Sequence, residues 1–278
     1  MPMAADAPIG IFDSGIGGLS VLRHVRIALP QEKLLYFADS GYAPYGDKNE
    51  QQIVDRSLAV AGFLTEAGIK ALVVACNTAT AAAIQAIREQ WPQLIVVGIE
   101  PGLKPAAAQS KSQIIGVLAT RSTLSSKRFI QLREQVAAHT GTRFLSQACV
   151  GLVDQIEKGE LLAATTARLV DQYVAPLIEQ GADTLVLGCT HYPFVRKMIE
   201  SAARHAGLAT PIIIDTGEAV TRQLQRLLEE RSLLCNTAVA QGEMTAYTTA
   251  SAATLENIFS KLLKMRPDIV QITGKTPQ

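Results

Sequence analysis

Two cysteines in this 278-residue chain stand where a reactive thiol would be useful. The apolar run Ala71-Leu72-Val73-Val74-Ala75 stops at Cys76, and Asn77, Thr78 and an Ala-rich segment follow. The run Thr184-Leu185-Val186-Leu187-Gly188 stops in the same way at Cys189, with Thr190 and His191 after it and a helical segment beyond Pro193. Each thiol is predicted at the C-terminal end of a buried strand, just before a helix N-terminus. Open α/β sheets bind ligands at that end, and a helix dipole there favours thiolate over thiol. Two thiols in related settings suit the inversion of a carbon centre. One takes a proton from one face while the other delivers a proton to the opposite face. One must be thiolate while the other is thiol, so their titrations are coupled.

Blander readings compete with this one. A free cysteine is most often a small buried hydrophobe, and Cys149 and Cys235 are read that way. Cys76 and Cys189 differ because polar residues follow each of them at the strand's mouth. A structural zinc site would want four soft ligands at short spacings, which the chain does not offer, and a redox pair would more often show Cys-x-x-Cys. His191 gains weight from lying two residues past a candidate thiol. Asp39, at the end of an apolar run, is either a turn-former or a functional carboxylate, and spacing alone says less of Glu157. Tyr45 and Gly46, after Pro44, fit ordinary turn chemistry as well as a site. The loop Asp13-Ser14-Gly15-Ile16-Gly17-Gly18 invites a nucleotide reading. However, Ser20 replaces the third glycine of the dinucleotide fingerprint, and the Gly-Lys-Ser/Thr ending of a P-loop is absent. A small-molecule anchor fits better, with Ser14 and backbone N–H groups receiving a carboxylate and Asp13 meeting an ammonium or a thiol. No lysine sits at a strand mouth as a Schiff-base lysine would, so no pyridoxal cofactor is expected.

The elements that must position these residues alternate. Apolar strands are predicted at 9–12, 34–38, 71–75 and 94–97, with helices at about 19–29, 50–66 and 77–91. The pattern restarts with strands at 113–119, 142–146, 184–188 and 211–215. Its helices are predicted at about 123–139, 161–180 and 195–206, with a short helical turn at 152–157. Gly10 matches Gly116 and Cys76 matches Cys189, at the similar offsets of 106 and 113 residues. Ser14 then corresponds to Thr120. Strands alternating with helices argue for parallel sheets with right-handed crossovers, here as two copies of one unit. The tail from Thr216 is predicted to add a helix, a polar strand near 244–247, a helix and a last short strand, packing on the first half. Residues 274–278 are expected to fray.

Composition narrows the class further. Hydrophobic residues make up 48% and charged residues 18%, the balance of a compact folded chain. Lys and Arg total 26 against 25 Asp and Glu, so bulk charge points to neither nucleic acid nor a membrane, and no basic run with interleaved aromatics appears. The first eight residues lack the basic and apolar regions of a secretory leader, and no apolar run reaches the length of a membrane span. Four cysteines without close pairs then imply free thiols in a reducing cytoplasm.

Taken together, Asp13 to Gly18, Pro44-Tyr45-Gly46, Cys76 to Thr80 and Gly188-Cys189-Thr190-His191-Tyr192-Pro193 resemble the glutamate racemases of the cofactor-independent aspartate/glutamate racemase superfamily. The likeness runs in order from about Pro8 to Leu228. It implies two pseudo-symmetric, Rossmann-like αβα domains with parallel-rich sheets and an active site in the cleft between them. The domains would be residues 1–98 with 210–278, and residues 99–209. It further implies interconversion of L- and D-glutamate in the cytoplasm, without cofactor or metal, to supply D-glutamate for peptidoglycan. Cys76 would deprotonate the D-enantiomer and Cys189 the L-enantiomer, with Asp13, His191, Asp39 and Glu157 as catalytic support. Asp13, Ser14, Tyr45, Gly46, Asn77, Thr78, Thr190 and His191 would line the substrate. Free glutamate is the partner expected, with neither nucleic acid nor membrane, and the reading allows a homodimer without fixing it.

Overall fold

The computed structural model describes residues 4–236 and 241–273, so the stretch 274–278 that was expected to fray lies outside the described residues. In chain order the elements are β1 (Ile9–Asp13), α1 (Leu19–Ala28), β2 (Leu34–Ala38), α2 (Glu50–Glu66), β3 (Ala71–Val74), α3 (Asn77–Gln90) and β4 (Ile95–Gly98). There follow α4 (Leu103–Gln109), β5 (Ile114–Ala119), α5 (Arg121–Ser125), α6 (Lys127–Thr140), β6 (Arg143–Ala148), α7 (Leu152–Glu157), α8 (Ala164–Glu179), β7 (Thr184–Gly188), α9 (Arg196–His205) and β8 (Ile212–Ile214). The tail holds α10 (Gly217–Glu230), β9 (Met244–Thr248), α11 (Ala252–Leu263) and β10 (Asp268–Gln271). The chain divides into two compact units, Met1–Ile99 with Gly217–Gln278, and Glu100–Thr216.

The first unit holds a six-stranded parallel sheet in the order β10-β9-β2-β1-β3-β4. Every residue of β1 and β3 is buried, as expected of central parallel strands covered on both faces. Burying an Ile, Val or Leu side chain contributes roughly 1.5–3 kcal/mol, so these runs supply much of the driving force. The tail joins this sheet directly, with β9 pairing along β2 from Leu34 opposite Met244 to Ala38 opposite Thr248. Helix α2 begins with a capping box in which the Asn49 side chain accepts from Gln52 N and the Gln52 side chain accepts from Asn49 N.

The second unit holds a four-stranded parallel sheet in the order β6-β5-β7-β8. Strands β2-β1-β3-β4 of the first unit follow the same order, so the inferred repeat is a repeat of topology. The register agrees too. Gly10 lies opposite Leu72, and Gly116 lies opposite Leu185. Each leucine precedes its cysteine by four residues.

Several expected elements differ in extent. The helix predicted over 123–139 is two helices, because Ser126 takes an extended conformation and its side chain caps α6 by accepting from Phe129 N. The helix predicted from residue 161 begins at Ala164, where the Thr166 hydroxyl donates to the Glu160 carbonyl at 2.6 Å and fastens the preceding turn. Helix α4 has no counterpart in the expectation; its Leu103, Ala106 and Ala107 form a short buried stripe at helical spacing. Strand β8 pairs with β7, which carries the second unit through Thr216 and past the boundary expected at residue 209. Among the described residues no helix is long and apolar enough to cross a membrane.

A buried ion pair ties the tail to the N-terminal edge of the first sheet. Lys70 Nζ lies 2.5 Å from Glu32 Oε2, with both side chains almost wholly buried. Nζ also donates to the Ala5 and Leu233 carbonyls, and Glu32 Oε1 accepts from Cys235 N at 2.9 Å. Removing one member leaves a buried charge uncompensated. Glu32→Gln is expected to lower the unfolding free energy by about 3–5 kcal/mol in urea denaturation, and the charge-free double variant Glu32→Leu/Lys70→Met to lose less. A loss under about 1 kcal/mol for Glu32→Gln would contradict this account of the edge.

Candidate active site

In the first unit the site residues stand at the C-terminal ends of β1, β2 and β3. Asp13 closes β1 and is fully buried, with Oδ1 accepting from Gly15 N at 2.9 Å. Tyr36 on β2 donates its hydroxyl to the Gly15 carbonyl at 2.8 Å and pins the loop from beneath. A methyl group at Gly18 would sit 2.6 Å from Asp13 Cβ and 3.0 Å from the Tyr36 hydroxyl oxygen. The glycine at this position makes room for Asp13 and Tyr36.

Cys76 follows β3 and is the N-cap of α3, where Ala79 N–H donates to its sulfur at 3.4 Å. A backbone donor at a helix N-terminus stabilises negative charge on that sulfur. Ser14 Oγ lies 3.6 Å from the same Sγ. Asn77 opens α3 and is buried, yet neither its side-chain oxygen nor its nitrogen has a hydrogen-bond partner. An unmet buried amide costs about 1–3 kcal/mol, and a polar ligand would satisfy it. Thr78 is buried beside it in sequence.

Tyr45 and Gly46 lie in a 3-10 turn (Tyr45–Asp47) beyond β2. The Tyr45 hydroxyl donates to Asp39 Oδ2 at 2.6 Å. Burial first, and the Asp39 carboxylate second, hold the phenol well above its ordinary pKa, so it remains a donor. Asp39 is fully buried and its carboxylate receives four bonds. Besides Tyr45 these come from Arg56 Nε and a terminal guanidinium nitrogen, each at 2.6 Å, and from Thr249 Oγ1 at 2.9 Å. Asp39 thus stands as the anchor of the Tyr45 turn. Arg56 and Thr249 escaped the sequence reading, since neither lies in a motif and Thr249 is more than 200 residues away.

In the second unit Cys189 follows β7, but it does not stand at an α-helix N-terminus. A 3-10 turn (Tyr192–Val195) containing Pro193 intervenes, and α9 starts only at Arg196. The expectation of a helix dipole at this thiol is therefore corrected. What meets the sulfur is His191, whose Nδ1 lies 3.6 Å from Sγ. The other ring nitrogen, Nε2, lies 2.5 Å from Glu157 Oε1 at the end of α7. Burial opposes the charged imidazolium, but hydrogen bonds to Cys189 and Glu157 outweigh it and raise the His191 pKa well above the usual value. Thr190 is buried between the two.

The structure thus joins Glu157 to His191 and Cys189, and Ser14 to Cys76. Cys149 is buried and its thiol is pushed up to about 12 by burial, so it is a neutral packing group at neutral pH. Among the described residues no three His, Cys, Asp or Glu side chains come together as ligands for a metal ion.

Known proteins of the same kind frame this geometry. The family model described as Asp/Glu/Hydantoin racemase matches residues 18–233. A glutamate racemase of Ectopseudomonas mendocina is 51% identical over 230 residues, 83% of this chain and 85% of the relative. The crystal structure of Francisella tularensis glutamate racemase in complex with D-glutamate superposes with a TM-score of 0.83 at 26% identity, covering 97% of this chain and 98% of that one. The Escherichia coli glutamate racemase in complex with L-glutamate and the activator UDP-MurNAc-ala gives a TM-score of 0.81 at 28% identity, covering 95% and 97%.

The His191 environment has a measurable consequence. Its folded pKa lies above the unfolded value of about 6.5. The stability from the paired imidazolium is therefore complete below about pH 6.5 and fades as pH rises through the folded value. In ring-nitrogen NMR His191 should titrate above the ordinary histidine value, and Glu157→Gln should bring its titration down. A midpoint at or below the ordinary histidine value in the unmodified chain would refute the arrangement.

Proposed function

We propose that this chain, which belongs to the Asp/Glu/Hydantoin racemase family, interconverts L- and D-glutamate by two-base chemistry at Cys76 and Cys189. The observation that carries the reading is the equivalence of the two thiols. Each follows the same strand of the same topology at the same register, and each keeps polar groups at its own strand's mouth. The glutamate racemase relatives near 50% identity support the substrate.

In this reading the Cys76 thiolate takes the α-proton of D-glutamate and the Cys189 thiol gives its proton to the opposite face, yielding L-glutamate. Cys76 is then thiol and Cys189 thiolate, and the reverse reaction starts from that state. An α-proton is a very weak acid, so preorganised donors must stabilise the carbanion, a contribution of several kcal/mol. Asn77, with its unmet amide, Ser14, Thr78 and Thr190 are the donors assigned to the substrate, together with the Tyr45–Gly46 turn. Asp13 receives the ammonium, and His191 with Glu157 manages the charge beside Cys189. The thiols supply both acid and base, so the step needs no cofactor. We place the reaction in the cytoplasm, feeding peptidoglycan synthesis.

Each thiol can be tested alone. Cys76→Ser and Cys189→Ser should each cut racemisation in both directions by about a thousandfold or more, because serine is no competent base at neutral pH. The double variant should be little worse, since residues acting as one unit are not additive. Glutamate binding should persist in both. Cys149→Ser and Cys235→Ser should stay within a few fold. Following optical activity of glutamate by circular dichroism decides the matter. A Cys189→Ser chain that racemised at the unmodified rate would sink the two-base reading.

A further inference from the structure

We infer that Arg56 and Thr249 are positioning residues for substrate binding, acting through Asp39 to hold the Tyr45–Gly46 turn in place. The inference rests on the proposed racemase reading for the role of that turn. The geometry is a closed chain of contacts within the first unit. Arg56 grips Asp39 with two nitrogens at 2.6 Å each, the two-pronged arrangement that fixes a carboxylate in both distance and plane. The Tyr42 ring lies 3.8 Å from the guanidinium carbon and fixes its other side. Asp39 so held receives the Tyr45 hydroxyl at 2.6 Å.

Thr249 closes the chain from the tail. Its hydroxyl donates to Asp39 Oδ1 at 2.9 Å and accepts from Gly41 N at 3.0 Å. The approach is close enough that a methyl at Gly41 would sit 2.6 Å from the Thr249 carbonyl oxygen. Strand register delivers this contact. Ala38 pairs with Thr248, so the next residue on each strand is Asp39 and Thr249. The segment 39–46 is thereby fixed at its start by Thr249 and at its end by the Asp39–Tyr45 bond.

A turn that contacts substrate in the ground and transition states alike contributes uniform binding, so loosening it should raise KM with kcat nearly unchanged. Thr249→Val keeps the shape and loses both hydrogen bonds, and should raise KM for both enantiomers by about tenfold, the size of one bond to a charged group. Thr249→Ser keeps both bonds and should restore KM. Arg56→Lys loses the fork and should raise KM similarly. Tyr45→Phe should make the Thr249→Val change nearly silent, because both act through one chain of contacts.

The measurements are racemisation kinetics by circular dichroism and glutamate binding by calorimetry on the same variants. Raised KM in Thr249→Val and Arg56→Lys, rescue by Thr249→Ser and non-additivity with Tyr45→Phe would establish the inference. Unchanged KM and Kd, a kcat loss with KM intact, or strict additivity with Tyr45→Phe would overturn it. An unmodified chain that bound glutamate without racemising it would refute the racemase reading, and the calorimetric Kd values would still decide the role of Arg56 and Thr249.

Discussion

The site depends first on backbone pairing between neighbouring parallel strands. β1 against β3, and β5 against β7, set where each thiol stands relative to the loop of the strand beside it. A slip of one residue would move Cys76 by about 3.3 Å along the sheet and turn its side chain to the other face. The Sγ to Ser14 Oγ approach of 3.6 Å would not survive it. The slip is opposed by the apolar residues of β1 and β3, buried on both faces. Packing of Val, Ile and Leu at the sheet's centre thus fixes the chemistry at its edge.

On that shared frame the two thiols are served by different devices. After β3 the chain enters a helix at once, because Asn77, Thr78 and the alanines allow it, and the Cys76 sulfur receives the Ala79 N–H of its first turn. After β7 a 3-10 turn (Tyr192–Val195) follows His191 instead, and α9 begins only at Arg196. A buried imidazole takes over, held by Glu157 from another element. One thiol stands beside a backbone dipole that cannot titrate, the other beside an imidazole that can. Equivalent positions in the fold therefore need not have equivalent chemical surroundings.

Much of this was legible in the sequence because it is local. The strands ending in cysteine, the polar residues after them and the repeat through Gly10 and Gly116 all follow from runs of a few residues. So did α7, which places Glu157. The helix break at Ser126 was not legible, since a capping serine and an interior serine look alike until the cap forms. Helix α4 was too short to show a period. The dipole expected at Cys189 failed because the proline that signals a helix start also permits a 3-10 turn. Arg56 and Thr249 were invisible for another reason: their partner Asp39 is reached only through α2 packing and strand pairing.

The tail shows how non-local that last kind of information is. Its residues carry no recognisable motif, yet they touch β2 at both ends. Before β2, Glu32 accepts from Cys235 N while pairing with Lys70; after it, Asp39 accepts from Thr249. Between them β2 pairs with β9 at five positions, from Leu34 opposite Met244 to Ala38 opposite Thr248. A parallel pairing has one spacing per residue, so fastening the strand at one end determines what arrives at the other. The charge buried at Glu32 and Lys70 is costly to desolvate and weak as a source of net stability. Its role is to fasten the tail beside the start of β2, while the β2–β9 ladder itself brings Thr249 to Asp39.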